Sequence, residues 1–331
     1  MDSRKFGFVT LALFVSTTAG AQKNSDQDLS ELREIGGGFG WQIVEQAGSH
    51  ADQIRKNLER FELPTGFTIR LFAVAPNATH IAVSPQGVVV FTGTRASAVW
   101  AITDRDKDRI ADEVKRFAGG VSFKNPSGVC FSKDGFLYVV EQNRVLMFPA
   151  AEYTYESFGV PVAEIVSQLV PAHGELPNSA IRACDIGPDD KLYVWLGHPA
   201  GPDLSNYASS VKHSESGDVI RINRDGSDPE MLQNDDLTRS HIGPRMLIYT
   251  GTMFPERYRG GVFSIQQSAQ LMFTMLKEDG SLGVAELFGG DRPIISSKTF
   301  GGLTDIAQMH DGSILLSDEL AGAIYRLSYD E

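Results

Sequence analysis

Short runs of alternating apolar and polar residues, each broken by a Gly- or Asp-containing turn and then resumed, recur along the chain. They read IAVSPQGVVVFTG from Ile81, GVCFSKDGFLYVVE from Gly128, ACDIGPDDKLYVWLG from Ala183 and IAQMHDGSILLSDE from Ile306. Period-two alternation predicts strands, and the turn residues between each pair predict a tight hairpin. The copies return at roughly fifty-residue intervals or a little more, the spacing of propeller blades. A third run of β-formers follows most of them: SAVWAITD from Ser97, NRVLMFPA from Asn143, GDVIRINRDG from Gly217 and GAIYRLSY from Gly322. The predicted fold is therefore an all-β propeller, with a two-sheet sandwich as the alternative.

Blade faces are covered only by neighbouring blades, so a propeller must close before its core is dry, and function then gathers at the central channel or its mouth. The run GFTIRLFAVA from Gly66 reads as one more strand. Its pairing with the C-terminal strand at Ala323–Tyr329 would clasp the two ends of the chain together. Ahead of it, Ile54, Leu58 and Phe61 recur at helical spacing until Pro64 stops the pattern, which predicts one short amphipathic helix on the outside of the ring.

The N-terminus reads as an address. Arg4 and Lys5 precede an apolar run from Phe6 to Val15, and Ala19-Gly20-Ala21 precedes Gln22. This is the pattern of a secretory signal peptide, which predicts a mature chain beginning near Gln22 and a periplasmic or secreted location. No later stretch approaches about twenty apolar residues, so membrane insertion is not expected. The predicted organisation is a signal peptide over 1–21, an N-terminal extension with the short helix over 22–62, and the propeller over 63–331. Within the extension, the polar, Gly-containing stretch Gln22–Gly40 is expected to be mobile.

The chain has 331 residues with 33 Gly and 15 Pro, in keeping with one large β domain. Its formal charge of -12 argues against nucleic acid or an anionic membrane as partner. Export permits a disulfide, but Cys130 and Cys184 fall at similar places in the first strands of two different repeats, where small buried thiols pack well; free core cysteines are the expectation. No CxxCH occurs, so the chain carries no c-type haem of its own.

Asp104, Asp106 and Asp108 alternate as in a calcium loop, with Asp112 and Glu113 following. Arg109 replaces the glycine of an EF-hand and Lys115 stands where its closing glutamate belongs, which excludes the EF-hand and leaves a looser calcium site or a solvated turn. The seven histidines show no metal-ligand spacing, and no HExxH, GxSxG or nucleotide-binding fingerprint appears. His80, just before the first inner strand, and His173, in a Pro/Gly-containing loop, are the two placed to face a channel mouth.

Longer strings carry a resemblance. TDRDKDRIADEVKRFA from Thr103, NPSGVCFSKDGFLYVVEQNRVLMFPA from Asn125, YTGTMFPERYRGGVFS from Tyr249 and DIAQMHDGSILLSDELAGAIYRLSY from Asp305 are similar to the glucose/sorbosone dehydrogenase family, and the similarity covers most of Leu63–Tyr329. The resemblance implies a six-bladed propeller that binds pyrroloquinoline quinone (PQQ) and calcium. A histidine there takes a sugar hydroxyl proton while hydride passes to the quinone, and electrons go on to an acceptor such as a cytochrome.

The chain departs from that pattern at its working parts. Alignment on IRACDIGPDDKLYV puts Ser179 where the family histidine is expected, leaving His173 and His80 as candidate bases. Gly302 stands where the family has an arginine, and IQQSAQ continues directly where its HGSWNR-like string belongs. A long insert with an arginine-asparagine pair is missing between Gln233 and Arg245, which predicts a ring of about four or five blades. Two functions follow: a PQQ-dependent sugar or aldehyde dehydrogenase, or a non-catalytic binding propeller descended from one.

Overall fold

The computed structural model describes residues 33–36, 42–157, 159–169, 181–198, 219–232, 245–266, 270–277, 281–291 and 302–330. Three strands and a helix come first: β1 (Arg33–Gly36), α1 (Ser49–Leu58), β2 (Phe61–Glu62) and β3 (Phe67–Val74). Five antiparallel sheets then follow one another as blades. The first holds β4 to β7 (Ala78–Val83, Val90–Thr94, Val99–Thr103, Glu113–Phe117) and the second β8 to β11 (Gly128–Phe131, Leu137–Val140, Val145–Phe148, Gly159–Val166). The third holds β12 to β15 (Ile181–Ile186, Leu192–His198, Val219–Ile222, Glu230–Leu232) and the fourth β16 to β19 (Met246–Ile248, Val262–Gln266, Gln270–Thr274, Glu286–Asp291). The fifth is built from β20 to β22 (Leu303–Gln308, Ile314–Asp318, Ala323–Tyr329) with β3 as its outermost strand.

The fold is thus a five-bladed propeller, within the expected range of blade number and not a sandwich. The clasp forms as expected: Phe67 lies opposite Tyr329 and Val74 opposite Ala323. In each of blades one, two and five a glycine at positive φ, Gly87, Gly135 or Gly312, turns the first hairpin; Asp190 takes that conformation in the third.

Alternation explains why both faces of a blade are apolar. In β9, Leu137 and Val139 pack with the first blade, while Tyr138 and Val140 pack with the third. In β22, Tyr325 and Leu327 join the core with the fourth blade, and Ile324 turns to the first. A polar residue at either position would open one interface, since each face is a separate core.

The predicted helix is α1, whose Ala51, Ile54 and Leu58 are buried in the cluster around Phe67, Phe254 and Phe263. Phe61, read as part of the helix, belongs instead to β2 on the edge of the fourth blade, although its ring enters the same cluster. A second departure is Arg33–Gly36, expected within a mobile stretch: it pairs with β11 at the edge of the second blade. The free backbone donors and acceptors of an edge strand explain its capture.

Cys130 and Cys184 are the third departure, because they form a disulfide with a Cα–Cα distance of 5.7 Å. Their similar places in β8 and β12 are the physical reason. Equivalent positions on adjacent inner strands face each other across the channel wall, so they join two blades and do not sit in two separate cores.

Candidate functional site

The inner strands β4, β8, β12, β16 and β20 line the channel, and at the end where they begin their polar side chains stitch one blade to the next. Ser127 is the best-connected of these residues. Its carbonyl accepts from Thr79 Oγ1 at 2.8 Å and lies 2.9 Å from His80 Nδ1. Its hydroxyl accepts from the Arg182 backbone N–H at 2.7 Å, which links the second blade to the third. Asp305 Oδ2 accepts from the Ile81 N–H at 2.8 Å, joining the fifth blade to the first, and Arg245 donates to the Leu303 carbonyl at 2.9 Å, joining the fourth to the fifth.

Within this girdle lies a cavity of about 350 Å3, bordered by His80, Asp185, Trp195, Met246 and Asp305 and by the Cys130–Cys184 disulfide. His80 is only 4% exposed, and its Nε2 has no hydrogen-bond partner among the described residues. A carbonyl can only accept, so Ser127 holds the proton on Nδ1 and, in the neutral ring, leaves the lone pair on Nε2. Burying such an acceptor unpaired costs roughly 1–3 kcal/mol, which a ligand hydroxyl would offset.

Asp305 is 8% exposed. Burial pushes its carboxyl above the ordinary carboxylate range, partly offset by the neighbouring His80 and by backbone N–H donors of Ile81, Ile306 and Arg245. Burial in turn lowers the Arg245 guanidinium, opposed by the charge of Asp305. The Arg245 Nε also lacks a partner among the described residues. The mouth therefore brings together a proton acceptor, a carboxyl and a guanidinium.

The other sequence-predicted residues fall elsewhere. Asp104, Asp106 and Asp108 do come together, with one oxygen of each within 4.8 Å of the others, at the opposite end of the ring. Their loop is largely closed on itself: Asp104 accepts from the Arg109 N–H, Asp106 from Asp108 and Asp108 from Ile110. Asp112 turns to the Arg105 and Asp106 N–H groups, away from the three. Of the four aspartates expected to hold calcium, Asp104, Asp106 and Asp108 are brought together among the described residues, and Asp112 is not part of that group. His173 and Ser179 lie outside the described residues.

The residues that sequence reasoning missed are Asp305 and Arg245. A signal for Asp305 exists in the repeats. Counting back by the same step from Gly87, Gly135, Asp190 and Gly312 lands on His80, Gly128, Ala183 and Asp305. Two of these four equivalent positions are small, and the other two are the titratable pair at the mouth.

No family model and no curated protein matches the sequence. Solved structures do match it. An enzyme of carbohydrate-active family AA12 from Trichoderma reesei superposes with a TM-score of 0.53 at 11% identity, over 82% of this chain and 98% of its own. The PQQ domain of pyranose dehydrogenase from Coprinopsis cinerea gives 0.51 at 8% identity, over 81% and 97%. A glucose dehydrogenase-like oxidoreductase from Thermus thermophilus gives 0.48 at 14% identity, over 79% and 100%. These likenesses are of fold: the chain is a five-bladed β-propeller, the architecture class it shares with these proteins.

Proposed function

We propose that this chain is an exported propeller of the sugar dehydrogenase type that binds a sugar or aldehyde at the channel mouth, with His80 as acceptor of a ligand hydroxyl proton. One observation carries this reading: the buried, unpartnered Nε2 of His80 on a cavity large enough for a small ligand. The ligand O–H donates to Nε2 while Nδ1 stays on the Ser127 carbonyl. Export is supported by the basic start, apolar run and Ala-Gly-Ala sequence, and no helix among the described residues is long and apolar enough to cross a membrane.

Oxidation needs a hydride acceptor that side chains do not supply, and the sequence resemblance points to PQQ with calcium. The described residues at the mouth do not fit an anionic quinone. Arg95 is paired with Glu319 at 2.9 Å, Arg144 with Glu141 at 2.6 Å and with Glu164 at 3.2 Å, and Arg245 stands against Asp305. A Cβ on Gly302, where the family has an arginine, would lie 2.6 Å from Asp318 Oδ1 and 2.7 Å from the Leu320 nitrogen. The pairing of Arg95 and Arg144 and the crowding at Gly302 favour the binding reading over the quinone-dependent one.

The test follows the His80 ring by NMR while aldoses and aldehydes are titrated into the mature protein, with and without PQQ and calcium. A sugar-dependent shift of the His80 resonances that does not need PQQ supports the proposal. PQQ-dependent turnover to which an acceptor such as a cytochrome couples would restore the dehydrogenase reading, and silence of His80 towards every sugar and aldehyde would remove both.

A further inference from the structure

The opposite end of the ring holds a larger cavity, of about 620 Å3, between the fifth and first blades. It lies where the inner strands end, so the length of β4 and β20 separates it from His80 and Asp305. In a chain of net charge -12 it is bordered by four basic side chains, Arg105, Lys107, Arg109 and Arg326, against the carboxyls of Asp104 and Asp311.

We propose that this cavity is a second ligand site, for a small polyhydroxylated carboxylate of the sugar-acid class. The charge comes from two of the four cations. Arg326 is committed to Asp311 and, at 3.6 Å, to Asp104; Arg105 is committed to Glu113 and Glu156. Lys107 has no ion-pair partner among the described residues, and Arg109 has only a 3.5 Å contact with Asp330. Those two cations, on alternate residues of one loop, suit one carboxylate.

The hydroxyls are called for by different atoms. Thr103 is 3% exposed and its Oγ1 has no partner among the described residues, and neither has the buried Oδ1 of Asp104; both residues border the cavity. A carboxylate oxygen can only accept, so a ligand at Asp104 must bring a donor, and a ligand at Lys107 and Arg109 must bring an acceptor with charge. A hydroxylated acid offers both. Phe72, already beneath the Arg326 guanidinium at 5.7 Å, and Tyr155 give the cavity the apolar surface that a carbon chain needs.

Sodium gluconate is the probe, titrated calorimetrically into the mature full chain in chelator-treated buffer. Saturable one-to-one binding is expected, with glucose and acetate each at least tenfold weaker because one lacks the charge and the other the hydroxyls. Replacing both cations, Lys107→Gln with Arg109→Gln, should weaken gluconate by tenfold or more, and Thr103→Val by several-fold. Melting curves of the variants show whether they fold, and Lys107→Gln alone, on an exposed loop, keeps the test open if the others do not. Absence of gluconate binding at millimolar concentration overturns the proposal. So does equal affinity for glucose or acetate, or unchanged affinity in folded Lys107→Gln/Arg109→Gln.

Discussion

At the end of the ring where the inner strands begin, Ser127, Asp305 and Arg245 reach from blade to blade; at the other end, where Ser84 with Glu152 and Arg326 with Asp104 also join blades, the aspartates of one loop fold back on that loop. Ser127, Asp305 and Arg245 each bond to a neighbouring blade, whereas Asp104, Asp106, Asp108 and Asp112 accept from backbone N–H groups within the same connection. The first arrangement belongs to the closure of the ring, and the second leaves its side chains free to vary. The difference predicts that substitutions in the girdle around His80 are felt first as stability, and those in the loop from Asp104 to Asp112 first as ligand affinity.

The largest test of this contrast is Asp305→Ala. It strips a buried acceptor from the Ile81 N–H and leaves the Arg245 guanidinium without its opposite charge, so a loss of about 3–5 kcal/mol is expected in denaturant unfolding. Asp106→Ala, on the exposed loop, should stay within about 0.5–1 kcal/mol. Comparable losses from the two would erase the distinction. Next in size is the disulfide that joins the second and third blades across a sequence separation of 54. Its reduction should cost about 2–4 kcal/mol, read as a lower melting temperature in dithiothreitol that Cys130→Ser/Cys184→Ser reproduces without reductant. A melting temperature indifferent to reductant would show that the strands alone hold those blades together.

Much of this ring was legible because period-two alternation is a local signal. The hairpins at Gly87, Gly135 and Gly312 and the strand from Phe67 could be read from neighbours in sequence, and the terminal clasp followed from the need to close the ring. The Cys130–Cys184 bond could not be read this way, since it depends on two blades stacking in equivalent register, which no single repeat encodes. His80 was visible as a histidine ahead of a strand, but its partner Asp305 sits at the far end of the chain and meets it only after closure. Arg245 immediately precedes β16, a strand that none of the sequence repeats contains, so the comparison of repeats gives no guide to it.

A smaller effect separates the ligand role of His80 from the structural role of its neighbour. Ser127→Ala removes the hydroxyl that accepts from the Arg182 N–H and should cost about 1–3 kcal/mol, while keeping the Ser127 carbonyl that orients His80. His80→Gln removes the imidazole acceptor, and sugar binding should fall by tenfold or more. If Ser127→Ala weakens sugar binding as much as His80→Gln does, the hydroxyl and not the imidazole is the group that matters.

The finest test is the sign of the pH dependence at the two ends. Burial raises Asp305 above its unfolded value, so its folded form holds a proton more tightly than the unfolded chain does. The corresponding stability is fully present below the unfolded pKa and is lost as pH rises through the folded one. At Asp311 burial also raises the carboxyl, but hydrogen bonds from Ser313 and the adjacent Arg326 outweigh it, and the net shift is downward. Its contribution is present above the unfolded value and is lost as pH falls through the folded one. Unfolding free energies of Asp305→Asn and Asp311→Asn, each subtracted from the parent across mildly acidic pH, should therefore slope in opposite directions. Asp305 becomes less favourable relative to Asn with rising pH, and Asp311 more favourable. Parallel slopes would mean that both carboxyls feel the same environment and that the two ends are not electrostatically distinct.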